Sequence, residues 1–462
     1  MPPKFGTSGL RGLVVDLTPD LVAAHLRAFA RACPMGTGLF VARDLRPSSR
    51  ALSAGVMAAA RAAGLAVTDC GAIPTPALAL AASAAGAAAV MVMVTGSHIP
   101  ANRNGLKFYT PAGEITKPQE AAILAALATP ASPAAPGPAV VRNGTAGAAY
   151  GARYVTAYGA AALAGLRLGV WSHSAVGRDI LITVLAALGA DVVELGRSAR
   201  FTPLDTEALA PATVAQLRLW AARGNLDAIA SIDGDGDRPL LSDAAGQVIA
   251  GDVLGQITAT ALGAEVVATP LSSNTGVEAG GRFGRVIRTR IGSPYVLAAM
   301  QATPGRVVGY EANGGFVLGF AATGPTGPLP ALLTRDALLP LIATLVQARG
   351  RGGLAALVAA EPARFTAAGR LRDVPTKRAQ ALVAAFAADA AARADFLATL
   401  GEAEASADHA DGLRLTLKSG RFVHLRPSGN APELRFYTEA ETPQAAAALL
   451  AAGLGGLARA LA

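Results

Sequence analysis

Three aspartates separated by single glycines, in SIDGDGDRPL (Ser231–Leu240), form the densest chemistry-bearing cluster in the chain. Asp233, Asp235 and Asp237 at this spacing repel one another unless a cation sits among them. Hard carboxylate oxygens suit Mg2+ or Ca2+. An EF-hand is excluded, because its required glycine is replaced by Arg238 and its closing acid would fall at Ala244. The competing reading is an exposed acidic turn.

A second cluster is VTGSHIPANRNGLKFY (Val94–Tyr109), where Ser97 follows an apolar run and stands between Gly96 and His98. A serine hydroxyl is a weak nucleophile until a neighbour takes its proton, and His98 or Lys107 could do so. Ser97 could also be no more than a helix cap. In GYEANGGF (Gly309–Phe316), Glu311 and Asn313 could grip sugar hydroxyls, although Asn-Gly-Gly is also a common turn. RPSGNAPELRFYTEA (Arg426–Ala440) groups Arg426, Ser428, Gly429 and Asn430. A guanidinium fork beside hydroxyl and backbone N–H donors makes a phosphate cradle, or else an ordinary turn between strands.

The elements that must carry these loops read as α/β. Short Val- and Ile-rich runs alternate with longer Ala/Leu stretches, which argues for mostly parallel sheets. Strands are expected at Leu39–Ala42, Ala87–Val94, Leu168–Trp171, Val192–Leu195, Leu226–Ile232, Val266–Ala268 and Val307–Tyr310, with helices at Leu21–Ala32, Ser53–Ala63 and Arg178–Leu188. Three of the chemical loops directly follow strands, where active sites of open α/β sheets lie. A Pro-rich linker, Thr129–Pro138, and breaks near Gly246–Gly251 and Gly350–Pro362 divide the chain into 1–141, 142–250, 251–362 and 363–462. Leu332–Val346 reads as an apolar helix. The last segment begins with a helical stretch, Lys377–Leu397, and continues with the strands Leu413–Leu417, Arg421–Leu425 and Glu433–Thr438 and a final helix.

Composition narrows the class. Of 462 residues, 52% are hydrophobic, too many for a disordered chain. The start, MPPKFGTSGLRG, has no apolar signal segment, so secretion is not expected. No charge occurs between Asp69 and His98, but Pro74 and Pro76 interrupt the stretch, and a buried helix followed by a buried strand explains it. No membrane association is expected. Cys33 and Cys70 match no metal or redox spacing and read as reduced thiols of a cytoplasmic protein. The net charge of +8 comes without long basic runs or interleaved aromatics, which argues against nucleic acid and for phosphorylated small molecules.

All four loops, in this order and spacing, resemble the α-D-phosphohexomutase superfamily, and within it the bacterial phosphomannomutase/phosphoglucomutase group. FGTSGLRG (Phe5–Gly12), ARDLRPSS (Ala42–Ser49), TPLSSNTGVE (Thr269–Glu278) and RTRIGSPY (Arg288–Tyr295) extend the resemblance along nearly the whole chain. It implies three related α/β domains with mixed sheets plus a C-terminal α+β domain, arranged around a central cleft. It further implies that Ser97 is a phosphoserine whose oxygen joins Asp233, Asp235 and Asp237 in binding Mg2+. Arg11 would face the serine phosphate, Arg238 follows the metal loop, and Lys107 and His98 are the acid/base candidates. Glu311 and Asn313 would bind the sugar, and Arg426, Ser428, Gly429 and Asn430 the non-reacting phosphate; Arg290 joins the substrate-binding set. The implied reaction interconverts hexose 6-phosphate and hexose 1-phosphate, with mannose ahead of glucose, through a hexose 1,6-bisphosphate that also serves as activator. A phosphoglucosamine mutase is the alternative. A metal-dependent sugar phosphatase and a silent sugar-phosphate binding protein are rivals from other classes, and a monomer or homodimer is expected. The sequence departs from the family in three places. Ile99 stands for the usual Asn, Asn313 and Gly315 stand for Ser and His in Glu-x-Ser-Gly-His, and Asn430-Ala431 stands for Thr-Glu.

Overall fold

Five consecutive apolar residues, Val90–Val94, form a strand buried along its whole length. It runs parallel to Leu39–Arg43 on one side and antiparallel to Arg103–Thr110 on the other. A strand covered on both faces must be apolar throughout, which is why this run does not alternate. The sheet order is Lys4–Phe5, Leu10–Leu13, Arg103–Thr110, Val90–Val94, Leu39–Arg43, Val67–Ala72, Val141–Arg142. Helices Pro19–Ala32 and Ser49–Ala62 flank it and place Val22, Leu26, Phe29, Val56 and Ala60 in its core. The first is started by the Thr18 side chain, which accepts from the Leu21 N–H, and by Pro19 at the first turn.

The computed structural model describes residues 2–6, 9–36, 38–86, 89–129, 135–428 and 432–461. One unit comprises Met1–Ala268 with Gly292–Val358, the other Thr269–Ile291 with Ala359–Ala462. Beyond the sheet above, the first unit contains the order Asp191–Leu195, Arg167–Trp171, Ala228–Ile232, Pro239–Asp243, and a third sheet built on Val307–Tyr310, Phe316–Leu318 and Leu332–Asp336. In all three, a buried strand turns back through a hairpin into an antiparallel partner: Val90–Val94 with Arg103–Thr110, Ala228–Ile232 with Pro239–Asp243, Val307–Tyr310 with Phe316–Leu318. The chemical loops are the hairpin connections. The sheets are therefore mixed rather than mostly parallel.

Several expectations need correction. Arg103–Thr110, read as loop, is a strand: Leu106 and Phe108 enter the core while Lys107 projects from the opposite face. Leu332–Val346 is not one helix. Leu332–Asp336 is a strand pairing with Phe316–Leu318, and the helix Leu338–Arg349 begins only after Asp336, whose carboxylate accepts from the Leu338 N–H at 2.9 Å. Lys377–Leu397 is likewise two helices, Thr376–Ala388 and Ala390–Ala398, because the Asp389 side chain caps the second by accepting from the Ala391 and Ala392 N–H groups. The uncharged Asp69–His98 stretch contains the helix Thr75–Ala84 and the strand Val90–Val94, as expected; Ala87 and Ala88 lie outside the described residues, as does 130–134 of the linker.

The second unit holds an antiparallel sheet in the order Phe365–Arg372, Glu433–Ala440, Phe422–Pro427, Leu413–Leu417, Glu404–Asp408. Its first strand alternates exposed and half-buried residues of modest hydropathy, which is why it is hard to read from sequence. Pro443–Leu461 is long and apolar enough by length and composition to cross a membrane. Here it packs on this sheet: a Cβ at Gly453 would meet the Phe436 ring at 2.0 Å, so only glycine allows the approach. With four larger sheets and one two-stranded ribbon, Ala322–Thr323 with Pro328–Leu329, among the described residues, the chain has a four-domain α/β architecture with mixed sheets.

Candidate active site

Ser97 sits in the connection after Val94, fully buried, with φ of 51°. A non-glycine residue in the left-handed region is strained and persists only where its surroundings hold it. Its N–H donates to Thr95 Oγ1 at 2.7 Å and its carbonyl accepts from Arg46 Nη2 at 2.8 Å. The result aims the hydroxyl at the aspartate loop, where Ser97 Oγ donates to Asp233 Oδ2 at 2.6 Å. His98, expected to serve that hydroxyl, has its Nδ1 at 3.5 Å from it and accepts instead from Arg238 Nη1 at 2.9 Å. The proton of Ser97 therefore has a carboxylate partner that sequence reasoning did not assign.

The Asp233–Arg238 connection closes on itself. Asp233 Oδ1 accepts from the N–H groups of Asp237 and Arg238, and the Gly236 backbone at φ of 70° makes the turn. Asp233, Asp235 and Asp237 are wholly buried. Lys107 Nζ donates to Asp235 Oδ2 at 2.6 Å and to Asp237 Oδ2 at 2.7 Å. Thr75, at the start of its helix, donates its hydroxyl to Asp235 Oδ2 at 2.9 Å. Yet Asp235 Oδ1 and Asp237 Oδ1 are buried without a hydrogen-bond partner. Oxygens left this way are costly unless something else binds them. One ligand atom from each aspartate lies within 4.8 Å of the others, so the donor set fits a divalent cation and the group could hold a metal ion.

Electrostatics set Asp233 and Asp237 apart. Burial, reinforced by Asp235 and Asp237, pushes the Asp233 carboxyl well above its ordinary range. Burial would raise Asp237 too, but Arg335, Lys107 and Arg238 outweigh it and hold that group ionised. Burial alone would lower Lys107; Asp235 and Asp237 reverse this and keep it an ammonium. Burial, together with Arg238, Arg11 and Lys107, holds the His98 imidazole neutral. Burial and Arg238 bring Arg11 down to about 10. The site thus combines a hydroxyl, a cluster of buried carboxyl groups and a ring of cations, an arrangement suited to phosphoryl transfer.

Glu311 accepts from Arg335 Nη1 at 3.1 Å, and Arg335 Nη2 donates to Asp237 Oδ2 at 2.8 Å. Asn313 folds its Oδ1 onto the Gly315 N–H at 3.0 Å, so this oxygen shapes the turn. The first unit thereby brings together Ser97, His98, Lys107, Asp233, Asp235, Asp237, Arg238, Glu311 and Asn313, with Arg11 on the strand beside Gly105. Sequence reasoning missed Arg46, Thr75 and Arg335. Only Arg46 stood inside a motif, ARDLRPSS; Arg335 was hidden in a stretch read as helix.

In the second unit, Arg290 Nε donates to the Ala410 carbonyl at 2.8 Å, and Arg426 Nε lies 2.9 Å from Asp411 Oδ2. Asp411 also accepts from the Ile291 N–H at 2.9 Å, tying the two arginine-bearing segments together. Ser428 is buried. Gly429 and Asn430 lie outside the described residues.

Comparison with known proteins accords with this geometry. Family models of phosphoglucomutase/phosphomannomutase match the chain at residues 2–133 (α/β/α domain I), 242–365 (α/β/α domain III) and 372–454 (C-terminal domain). A phosphomannomutase of Sinorhizobium fredii is 46% identical over 474 residues, covering 99% of both chains. A phosphomannomutase of Salmonella muenchen is 41% identical, covering 96% of this chain and 92% of the relative. The crystal structure of a phosphoglucomutase/phosphomannomutase family protein from Burkholderia thailandensis superimposes with a TM-score of 0.78 at 20% identity, over 98% of this chain and 97% of that one.

Proposed function

Given that the chain belongs to the phosphoglucomutase/phosphomannomutase family and is a phosphohexomutase, acting on a sugar phosphate, we propose that it interconverts mannose 6-phosphate and mannose 1-phosphate through a phosphorylated Ser97. Glucose phosphates form the second substrate pair. The observation that carries the reading is the 2.6 Å contact of Ser97 Oγ with Asp233, inside an aspartate triplet with two buried oxygens that make no hydrogen bond.

The Ser97 Oγ–P bond breaks as a substrate hydroxyl attacks phosphorus and gives up its proton, forming hexose 1,6-bisphosphate. The intermediate turns over, the phosphoryl group from the other carbon returns to Ser97 Oγ, and the sugar hydroxyl is reprotonated. Lys107 and His98 are the candidates for moving that proton, and the arginines Arg11 and Arg238 offset charge on the transferred group. Asp233, Asp235 and Asp237, with a serine phosphate oxygen, would hold Mg2+, which when bound neutralises phosphoryl charge. Glu311 and Asn313 orient the sugar. Arg290, Arg426, Ser428, Gly429 and Asn430 hold the phosphate that is not reacting. Hexose 1,6-bisphosphate acts as activator by restoring phosphate to Ser97. The enzyme works in the cytoplasm as a monomer or homodimer, with domain borders near 141, 250 and 362.

Intact-mass and peptide analysis of the purified protein is expected to find phosphate on Ser97. A coupled assay with Mg2+ and bisphosphate should rank mannose 1-phosphate above glucose 1-phosphate and glucosamine 6-phosphate, with Ser97→Ala inactive. Steady phosphate release exceeding isomerisation would replace this reading with a phosphatase.

A further inference from the structure

Gly315 has no side chain, and the space where one would begin is filled. A Cβ at 315 would meet Arg335 Cδ at 2.7 Å and Cγ at 3.1 Å. Those atoms cannot simply swing aside, because the buried guanidinium beyond them bonds Glu311 Oε2 at 3.1 Å and Asp237 Oδ2 at 2.8 Å. The Arg335 backbone is anchored as well. Its neighbour Asp336 accepts from Tyr150 at 2.6 Å, from the Tyr154 hydroxyl and from the Leu338 N–H, and its strand pairs with Phe316–Leu318. A planar fork held between two carboxylates is a job for arginine rather than lysine.

We propose that Arg335 is a positioning and specificity residue: it enters the space left by Gly315 and bridges the sugar-binding Glu311 to Asp237 of the aspartate loop. The position that carries histidine in the family pattern thus contributes only room, and the donor arrives from a neighbouring strand. This rests on the reading that Glu311 contacts the sugar. Because one guanidinium holds both carboxylates, a change at 315 or 335 shifts the sugar and phosphoryl-transfer sites together.

The test measures kcat and KM for mannose 1-phosphate and glucose 1-phosphate in wild type, Arg335→Lys, Arg335→Ala, Gly315→Ala and the Arg335→Ala/Gly315→Ala double variant, with thermal unfolding of each. Arg335→Lys and Gly315→Ala are expected to lower kcat/KM for mannose 1-phosphate by roughly 10- to 100-fold and to change the mannose-to-glucose ratio at least about 5-fold. In the Arg335→Ala background, Gly315→Ala should add little, since the 2.7 Å clash with Arg335 is gone and only Asn313 Oδ1 at 3.1 Å remains close. The proposal is overturned if both conservative variants keep kcat/KM and the sugar ratio within about 2-fold of wild type, or if the Gly315→Ala effect adds fully to that of Arg335→Ala. Should Arg335→Ala fail to fold, Arg335→Lys and Gly315→Ala still decide. A wild type inactive on every hexose phosphate would instead refute the functional reading itself.

Discussion

The guanidinium of Arg46 donates to the backbone carbonyl of Ser97 across 2.8 Å. Its other N–H groups go to Asp44 Oδ2 and to the carbonyls of Ile99, Pro100 and Arg103, so four of the five donors serve the serine loop and the fifth holds Asp44. Asp44 in turn accepts from Ser49, Thr95 and the Arg46 N–H.

Arg46→Ala leaves Asp44 buried and uncompensated and releases four carbonyls. A loss of about 3–5 kcal/mol is expected, as for breaking other buried ion pairs, read by denaturant unfolding. Arg46→Lys keeps the charge but not the fork; the folded fraction should show at least a roughly 10-fold drop in kcat. Unchanged kcat would show that the clamp does not position Ser97.

Gly234 faces the Ser97 backbone: a Cβ there would meet the Ser97 carbonyl oxygen at 2.7 Å. Because backbone rather than a flexible side chain blocks it, Gly234→Ala must push the serine and aspartate loops apart. We expect roughly a 100-fold loss of mutase rate with little change in KM, measured at saturating Mg2+.

Chelation with EDTA should abolish isomerisation, and added Mg2+ should restore it. Asp235→Asn removes one carboxylate charge from the triplet and should raise the Mg2+ concentration for half-maximal rate by about 10-fold or more. Full activity in a metal-free protein would contradict the metal assignment.

His173 and His424 are buried, and burial lowers each to about 4. The unfolded chain, with histidines near 6.5, binds protons that the folded chain refuses between pH 6.5 and about 4. Stability therefore falls as pH drops through that window, by about 2 kcal/mol per histidine at pH 5 relative to neutral pH. Denaturant midpoints at pH 7 and pH 5 check this, and equal midpoints would contradict it.

On the proposed role of Arg426 in holding the phosphate that does not react, Arg426→Gln is expected to raise KM for hexose phosphate about 10-fold or more while changing kcat far less. Steady-state kinetics distinguish this from a catalytic defect.

The loops were legible because their chemistry is local. Asp233, Asp235 and Asp237 stand side by side in the chain, and their mutual repulsion signals a cation whatever the fold. Ser97 was legible as a polar residue just beyond an apolar strand. Arg335 was not, because Leu332–Asp336 reads equally as the start of a helix; only pairing with Phe316–Leu318 makes it a strand. Lys107 was assigned chemistry but placed in a loop, since Arg103 and Asn104 mask the alternation of Leu106 and Phe108.

By itself the sequence determined the α/β class, the order of the four chemical loops and the residue types each one offers, because those depend on local pattern and short-range charge. Tertiary structure alone decided which partners meet. Ser97 and Asp233 are 136 positions apart, and Arg335 and Asp237 are 98 apart. No local preference encodes such pairs. They arise because three hairpin connections converge, and because a missing Cβ at Gly315 leaves room for a side chain from another strand.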